Sequence, residues 1–381
     1  MLRLLVFPIL LENCGGKAMK HPRMADALPI LAATLTLLAA CAAPTTAVPI
    51  GTAAMVAVET DAQRQYVIKR QISERERLHR VAWPLLAANA PLCGNDVRPA
   101  FGLTVWNLDN VADEFKPVAR TDFSLSDRLS VQSVVPGSPS DAAGLRPGDE
   151  IVRIGGQTAP RGRNASQEFV DRLTATTADG PVVLEVARQQ EPLTIELASA
   201  KSCDYGIVLE DGGQINAYAD GSNIMVTRGM MRFVESDDEL ALVIAHELAH
   251  NAMGHVDSKQ QNAVAGGVGG LLIDLLFAAG GYDTGGAFTD MGMDVGAVSY
   301  SVEFEQEADY VGMYFLERAG FGGATVADFW RRMAAEDPGS IDERWSHPTT
   351  PERFIMIELA KAEIEQKVQD GVPLVPNRRP E

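Results

Sequence analysis

Three of the chain's six histidines lie within eleven residues, in the stretch AHELAHNAMGH at 245–255. His246 and His250 are four residues apart, so on a helix their imidazoles project from one face, about a turn apart. This spacing lets two ring nitrogens bind one zinc ion at about 2.0–2.1 Å. Glu247 directly follows the first histidine and is placed to take a proton from water beside the metal as a general base. The pattern predicts metal-assisted hydrolysis.

A catalytic zinc ion usually takes a third protein ligand, and the sequence offers two sources for it. His255 lies nine positions after the first histidine, whereas the metzincin pattern needs a histidine at the tenth, so His255 is expected to support the site or the fold. A second predicted helix, YSVEFEQEADYVGMYFLERAGF, carries Glu305 and Asp309 on one face. One of them can bind the metal while the other accepts the N–H of a ligand imidazole. Glu303 and Glu307 fall on another face and are expected to be solvated.

Two predicted elements must position these groups. Ser236 followed by Glu239 is a capping-box pattern, and acidic residues in the first turn suit a helix N-terminus. We therefore predict a helix over about 236–253. Upstream of it, INAYADGSNIMVTRGMMRF predicts two strands joined by a tight turn at 220–223.

The N-terminal half contains a second informative pattern. Residues 131–157, VQSVVPGSPSDAAGLRPGDEIVRIGGQ, predict a strand, a short helix between two Pro-Gly turns, and another strand. The remaining predicted elements follow in order: a helix at about 166–176 and strands at 182–187 and 193–197. The pattern closely resembles a PDZ domain, which implies that Phe101, Gly102 and Leu103 form a carboxylate-binding loop beside a strand edge that accepts a peptide. Because PDZ-like domains also serve as plain spacers, both roles stay open.

Four short stretches resemble a family of metalloproteases. NAYADG, HELAH, EFEQEAD and SHPTTPER occur here in the order of the CAAX-prenyl-endopeptidase-like zinc metalloproteases, the gluzincin group that includes HtpX- and BepA-type enzymes. The resemblance covers about 203–365. It implies one zinc ion per chain with three ligands: His246, His250 and Glu305. It also implies that Glu247 is the catalytic base and that Asp309 orients a ligand imidazole.

The last of these stretches implies roles for His347 and Arg353. In BepA-type members the corresponding histidine can take the fourth zinc position and hold the site latent, or it can stabilise the oxyanion of the tetrahedral intermediate. A loop histidine with no catalytic part is the remaining alternative. The resemblance also implies that an extended substrate pairs with the strand at 216–219, beside the metal.

The charge balance limits the partners of the protein. The formal net charge is −18, and so acidic a chain repels the phosphates of nucleic acids. The densest basic run, KRQISERERLHR at 69–80, is interleaved with glutamate and predicts a solvated helix face. The composition therefore disfavours a nucleic-acid-binding protein and leaves protein or peptide partners.

The N-terminus has the features of a secretory signal. Its apolar stretch at 27–40 follows a basic start and is too short to span a bilayer comfortably. The stretch ends in LAAC, which resembles the lipobox of bacterial lipoproteins and implies lipidation of Cys41 as the mature N-terminus. An ordinary cleaved signal is the alternative. The residues before Met19 fit no signal design, so we expect translation to start at Met19 or Met24. Ala42 after the cysteine implies sorting to the outer membrane, by analogy with known lipoproteins.

The cysteines indicate an oxidising compartment. Cys14 and Cys41 belong to the segment that is expected to be processed. Cys93 and Cys203 remain as an even pair, so we predict a disulfide bond between them.

One apolar segment, AVAGGVGGLLIDLLFAAGG at 263–281, allows two interpretations. Its length would suit a membrane span, but Asp274 near its centre and eight glycines between 266 and 286 disfavour one. We predict instead a mobile hairpin or lid beside the active site that can touch the bilayer.

These patterns together predict an α+β protein. A PDZ β-barrel-like domain precedes a mainly helical, zincin-type metalloprotease domain with a small β-hairpin. Within the segment after the signal, a helix at 58–83 is expected to end at Pro84. The predicted regions are a signal peptide at 1–40, a tether and helix at 41–98, the PDZ domain at 99–200, the metalloprotease domain at 201–370 and a tail at 371–381.

The predicted function is a lipid-anchored zinc endopeptidase of the bacterial cell envelope, on the periplasmic face of the outer membrane. It would cleave misfolded or envelope proteins and use the PDZ domain to bind substrates or C-termini, or to regulate access. The alternative is a largely latent, zinc-bound chaperone or assembly factor for outer-membrane proteins that acts through the PDZ domain. A purely structural zinc module is disfavoured, because structural sites rarely keep a base beside an open coordination position.

Overall fold

The computed structural model describes residues 46–177, 180–279, 284–291, 301–322, 326–336 and 351–378. Cys41 with the predicted signal peptide, and also His347, lie outside the described residues. The chain divides into two compact units, 1–57 and 58–381. In the first unit, residues 46–52 have no regular secondary structure. The second unit contains both predicted domains.

The first helix, α1 (Ala53–Ala88), continues through Pro84, where the sequence predicted its end. Proline removes the one hydrogen bond that its missing N–H would make. The following residues stay helical because Leu85 and Leu86 are buried in the C-terminal core. The Asn89 N–H also donates to the Leu85 carbonyl, at 3.3 Å. The prediction at Pro84 is wrong, since long-range burial outweighs one lost hydrogen bond.

The next part of the chain is rich in strands. Its elements are β1 (Val97–Ala100), β2 (Leu103–Trp106), α2 (Lys116–Asp122), β3 (Ser130–Val134), α3 (Pro139–Ala142), β4 (Glu150–Ile154), β5 (Gln157–Thr158), α4 (Ala165–Thr176), β6 (Val182–Arg188), β7 (Glu191–Leu197) and β8 (Ala200–Cys203). An antiparallel sheet has the order β2-β3-β4-β6-β7, with β5 on β4, so β2 is an edge strand. Alternate residues of β6 point inward, and Phe169 and Leu173 of α4 join them in one core. This domain precedes the helical one, which confirms the predicted α+β arrangement.

The two ends of the strand-rich domain lie side by side. Strand β1 pairs with β8 in an antiparallel ladder, with Val97 opposite Cys203 and Ala100 opposite Ala200. A disulfide joins Cys203 to Cys93, with the two Cα atoms 5.7 Å apart. The ladder and the disulfide therefore connect the segments that precede and follow the domain.

The C-terminal domain is mainly helical. Its elements are β9 (Gly206–Glu210), β10 (Ala217–Ala219), β11 (Asn223–Thr227), α5 (Arg228–Phe233), α6 (Asp237–Ala252), α7 (His255–Ala279), α8 (Ser301–Arg318), α9 (Val326–Glu336) and α10 (Pro351–Asp370). Strands β10 and β11 form an antiparallel hairpin, and β9 lies parallel to β11 on its other side. The small sheet has β10 at its edge.

Helix α6 is the centre of this domain. Thirteen of its sixteen residues are buried, which is typical of a helix surrounded by other elements rather than an amphipathic surface helix. Helix α8 packs against it at Gly312, where a Cβ atom would lie 3.4 Å from both the Ala245 carbonyl oxygen and the His246 backbone nitrogen. A glycine at this point lets the two helices approach closely.

Helix α1 holds both of these helices. Arg77 and Arg80 donate to the two oxygens of Asp237 at the start of α6, at 2.9 and 2.6 Å. At the other end of α1, Arg318 of α8 donates to the Ala88 carbonyl, at 2.8 Å. One long helix is therefore attached to the beginning of α6 and to the end of α8.

The segment at 263–281 was predicted as a mobile hairpin or lid, and its described part is a continuation of helix α7 as far as Ala279. The buried carboxylate of Asp274 accepts hydrogen bonds from the hydroxyls of Thr284 and Thr289, so the chain folds back on the helix after its end. No helix in the described part of the chain combines the length and hydrophobicity that a bilayer span requires. The mobility of this segment stays a prediction.

Candidate metal centre

Helix α6 begins with half of the predicted capping box. The Ser236 hydroxyl accepts the Glu239 N–H at 3.2 Å, as expected of an N-cap. The Glu239 carboxylate instead accepts the N–H of Glu235 and two hydrogen bonds from Arg332, at 2.9 and 2.8 Å. Burial opposes ionisation of Glu239, but the bonds from Arg332 outweigh it and lower the pKa of the carboxyl. The start of the helix is thus fixed by a charged pair as well as by its cap.

Three buried side chains converge between α6 and α8. His246, His250 and Glu305 each offer one ligand atom, and these atoms lie within 4.8 Å of one another. The two Nε2 atoms are 3.1 Å apart, and the Glu305 oxygens lie 3.2 Å from His246 Nε2 and 3.4 Å from His250 Nε2. Two imidazole nitrogens and one carboxylate are a common protein ligand set for catalytic zinc. The residues therefore fit a zinc ion.

The His246 ring is oriented by a buried ion pair. Its Nδ1 lies 2.9 Å from Asp309 Oδ1. Asp309 also accepts two hydrogen bonds from Arg353, at 2.6 and 2.8 Å, and the guanidinium lies 4.5 Å above the centre of the Trp330 ring. Burial opposes protonation of His246, but its bonds to Asp309 and Glu305 raise its pKa. This negative surrounding also favours a divalent cation.

The His250 ring has a support of its own. Its Nδ1 lies 2.9 Å from Nδ1 of His255, and His255 Nε2 lies 3.1 Å from the Glu307 carboxylate. The His255 ring stacks on Phe304, with centroids 4.7 Å apart. With His250 Nε2 turned to the metal position, its Nδ1–H can donate to His255, which in turn donates to Glu307. Glu307 is solvated as predicted, with its side chain 52% exposed, and it also contacts His255, which the sequence did not indicate.

Two further groups face the same space. Glu247 is buried and lies close enough to act electrostatically on His250 and Arg353. The Lys259 ammonium lies 3.7 Å from a Glu305 oxygen. Sequence reasoning missed Lys259, which lies four residues after His255 and so shares its face of α7. That spacing is the signal by which it could have been found.

The remaining predicted site residues lie elsewhere. Phe101, Gly102 and Leu103 are located at the start of the edge strand β2, where Phe101 is buried. The predicted substrate strand corresponds to β10, and its hairpin is tied to α6 because the Gly221 N–H donates to the Asn251 side chain at 2.9 Å. The turn that follows β10 is thus attached to the C-terminal part of the helix that carries the histidines.

Comparison with known families assigns both domains. Residues 184–360 match the family model "Peptidase family M48", and residues 99–198 match the family model "PDZ domain". The two matches overlap at 184–198. In the structure, β6 and β7 at these positions are hydrogen-bonded into the sheet of the PDZ domain, so the overlap belongs structurally to that domain.

Curated relatives share only part of their length with this chain. A beta-barrel assembly-enhancing protease of Yersinia pestis is 25% identical over 211 residues, which are 51% of this chain and 43% of the relative. The mitochondrial metalloendopeptidase OMA1 of Schizosaccharomyces pombe is 27% identical over 157 residues, or 39% of this chain and 45% of the relative. The chain therefore spans less than half the length of these relatives.

Among solved structures, the chain is similar to the HtrA3 PDZ domain bound to a phage-derived ligand. The identity is 24%, the match covers 28% of this chain and 88% of that chain, and the TM-score is 0.21. The assignment depends instead on the two family matches and on the geometry above. The C-terminal domain of the chain thus matches peptidase family M48, and a domain that matches the PDZ family precedes it.

Proposed function

We propose that this chain is a zinc-dependent endopeptidase of the bacterial cell envelope that hydrolyses peptide bonds in misfolded or envelope proteins. The observation that carries the proposal is the convergence of His246, His250 and Glu305, buried and within 4.8 Å of one another. They come from two helices and lie beside an additional carboxylate, that of Glu247. A structural zinc site would not need this extra base.

The residues of the chain divide the chemistry among them. A zinc ion held by the three ligands would polarise the scissile carbonyl and make a neighbouring water more acidic. Glu247 then accepts the proton of that water and passes it to the leaving amine as the C–N bond breaks. Asp309 and His255 keep the two imidazoles in place, while the edge of β10 can pair with an extended substrate.

The setting of the reaction is inferred from the relatives and the N-terminus. The relatives are named as a beta-barrel assembly-enhancing protease and a mitochondrial metalloendopeptidase. The LAAC motif supports a lipid anchor at Cys41 and attachment to the periplasmic face of the outer membrane. The PDZ domain supports binding of protein or peptide substrates.

The first prediction tests the base. In Glu247→Gln we expect one zinc per chain to remain, because Glu247 is not a ligand, while cleavage of fluorescently labelled, unfolded casein falls at least about 10²-fold. Zinc is measured by elemental analysis and cleavage by released fluorescence. Glu303→Gln, an exposed glutamate on α8, is the matched control and should cut like the parent. If Glu247→Gln cleaves casein at the wild-type rate, Glu247 is not the general base.

A second candidate is a largely latent assembly factor that acts through the PDZ domain. It is favoured by the PDZ domain itself and by the role in assembly that the names of several relatives state. In that case His347 would occupy a fourth position on the zinc ion. X-ray absorption on the zinc-loaded resting protein separates the two, since three imidazole ligands would indicate latency and two would indicate an open site.

A further inference from the structure

Each of the three zinc ligands is contacted by a side chain from a different helix. Asp309 and His255 contact the two imidazole ligands. The third ligand, Glu305, has the ammonium of Lys259 3.7 Å from its Oε1 atom. The first two contacts orient ligand rings, as partners of metal ligands usually do. The contact of Lys259 differs from them, because it brings a positive charge to a negative ligand.

Helix α7 brings Lys259 to this position. His255 begins the helix, and Lys259 follows one turn later on the same face. The His255 side chain is buried, and its ring stacks on Phe304, the residue before Glu305, with centroids 4.7 Å apart. The first turn of α7 is therefore packed on the part of α8 that carries the ligand, and the Lys259 side chain, 30% exposed, extends from a fixed backbone.

The charge of Lys259 acts mainly on Glu305. Their separation of 3.7 Å is longer than a hydrogen bond, and in the part of the chain that the structure describes Glu305 is the only acid that pairs with this ammonium. Arg353 is the other cation near Glu305, with its Nη1 4.0 Å from Oε2. Its guanidinium, however, donates two hydrogen bonds to Asp309, at 2.6 and 2.8 Å, so that carboxylate largely balances its charge.

The burial of Glu305 makes the effect of this charge large. The Glu305 side chain is 0% exposed, and charges interact more strongly in the interior of a protein than in water. A cation beside one carboxylate oxygen withdraws negative charge from the ligand, so the ligand binds a divalent ion less tightly. The bound ion then keeps more of its positive charge and is a stronger Lewis acid.

We propose that Lys259 tunes the metal centre through Glu305: its ammonium weakens the electron donation of this ligand, which lowers the affinity for zinc and raises the reactivity of the centre. On this proposal Lys259 does not bind the substrate. The inference rests on the proposed function for the zinc ion and the peptidase reaction, but two of its three measurements need no cleavage.

The first measurement is the zinc affinity of the full chain, by competition with a chelating dye at constant pH. Lys259→Met removes the charge and keeps an unbranched side chain of similar length. We expect this variant to bind zinc about tenfold more tightly than the parent, because a neighbouring cation that repels the ion is lost. A lysine that only stabilised the fold would give the opposite result, since its loss would loosen the site.

The other two measurements follow the reactivity of the zinc-loaded protein. For fluorescently labelled casein, kcat should fall about tenfold in Lys259→Met with KM unchanged, because a weaker Lewis acid polarises the scissile carbonyl less. A role in substrate binding would instead raise KM. Acetohydroxamate, a small anion that binds zinc, should bind about fivefold more weakly to the variant.

Matched variants separate charge from packing. Lys259→Arg keeps the positive charge and should retain the parent's values in all three measurements. Lys69→Met removes an exposed lysine of α1 and should also behave like the parent. Urea unfolding shows whether each variant folds, and Lys259→Gln replaces the methionine variant if that one does not.

The proposal is overturned if Lys259→Met binds zinc no more tightly than the parent, or if either its kcat or its affinity for acetohydroxamate equals that of the parent. A parent that cuts no casein would refute the proposed peptidase, and the affinities for zinc and acetohydroxamate would then decide this inference. Cleavage by the parent together with an unchanged zinc affinity in Lys259→Met would refute this inference alone.

Discussion

At the scale of single residues, each ligand imidazole is held by a partner on another helix. His246 is held by Asp309, which Arg353 binds in turn, and His250 is held by His255. The contacts that support His250 continue from His255 to Glu307, whose side chain is half exposed. Outer partners of this kind fix ring orientation and raise the basicity of the metal-binding nitrogen.

Glu307→Gln therefore tests a residue that reaches the centre through its contact with His255. We expect zinc affinity to fall about tenfold, because an amide is a weaker acceptor for the His255 N–H than a carboxylate. The measurement is competition with a chelating dye at constant pH. Glu303→Gln, on the same helix and also exposed, should bind zinc like the parent. Equal affinities for the two variants would show that the His255–Glu307 contact does not support the metal.

The sequence predicted some of these residues and missed others for a physical reason. Helical spacing alone places His246 and His250 on one face, and the same holds for Glu305 and Asp309. The role of Glu307 was missed because the sequence analysis considered only the face of α8 that carries Glu305 and Asp309. It took no account of a contact between another face of α8 and α7. After α6 ends, α7 brings His255 to a second face of α8, and such a contact between distant segments leaves no local periodicity.

At the scale of elements, the centre depends on how closely α6 and α8 approach. Gly312 lies against the backbone of Ala245 and His246. It is about two helical turns from Glu305 on the same helix. Any change in the distance between the helices therefore changes the distance between the imidazoles and the carboxylate.

Two substitutions at Gly312 should have opposite effects. Gly312→Ala places a Cβ atom at 3.4 Å from its neighbours, an ordinary contact, and gains helix propensity of up to about 1 kcal/mol. Gly312→Leu overpacks the same contact, which should cost about 1–3 kcal/mol and weaken zinc binding. Urea unfolding and zinc titration measure both effects. If the leucine variant binds zinc like the parent, the spacing of the helices does not control the centre.

The charged pair at the start of α6 predicts a dependence on pH. The folded pKa of Glu239 is lowered below its ordinary value of 4.5. The stabilisation that the ionised carboxylate adds to the folded state is therefore complete above pH 4.5 and is lost as the pH falls through the folded pKa. Near neutral pH, Glu239→Gln should reduce the free energy of unfolding by about 1–2 kcal/mol, because it weakens the pair with Arg332.

That difference should shrink progressively as the pH falls below 4.5 and through the folded pKa. Urea unfolding at a series of pH values is the measurement, and Asp238→Asn, an exposed residue in the same turn, is the control. A difference that does not shrink in acid would contradict the role of this ion pair.

The elements also show what periodicity cannot predict. The strands and helices that were predicted after residue 130 of the PDZ domain lie within a few residues of those observed, since turns and alternation are local signals. The continuation of α1 past Pro84 depends on Leu85 and Leu86 finding a core that is formed by residues far along the chain. Likewise, the return of the chain after α7 depends on Asp274 binding Thr284 and Thr289.

At the scale of the whole molecule, the disulfide between Cys93 and Cys203 spans 110 residues and encloses the PDZ domain. A crosslink over so long a loop stabilises mainly by restricting the unfolded chain. It also holds β1 against β8, and both strands contribute residues to a cavity of about 480 Å³ beside strand β2.

Replacing both cysteines by serine should lower the free energy of unfolding by about 4 kcal/mol. Urea unfolding of the variant and the parent, each with and without reductant, is the measurement. The parent should approach the variant once reduced, whereas the variant should not respond to reductant. A parent whose unfolding is the same in reductant would show that the bond adds no stability.

Helix α1 lines the cavity of about 480 Å³ beside strand β2 with Trp83, and Arg77 and Arg80 of the same helix donate to Asp237 in the first turn of the helix that carries Glu247. A displacement of α1 would therefore alter the cavity and the start of that helix together.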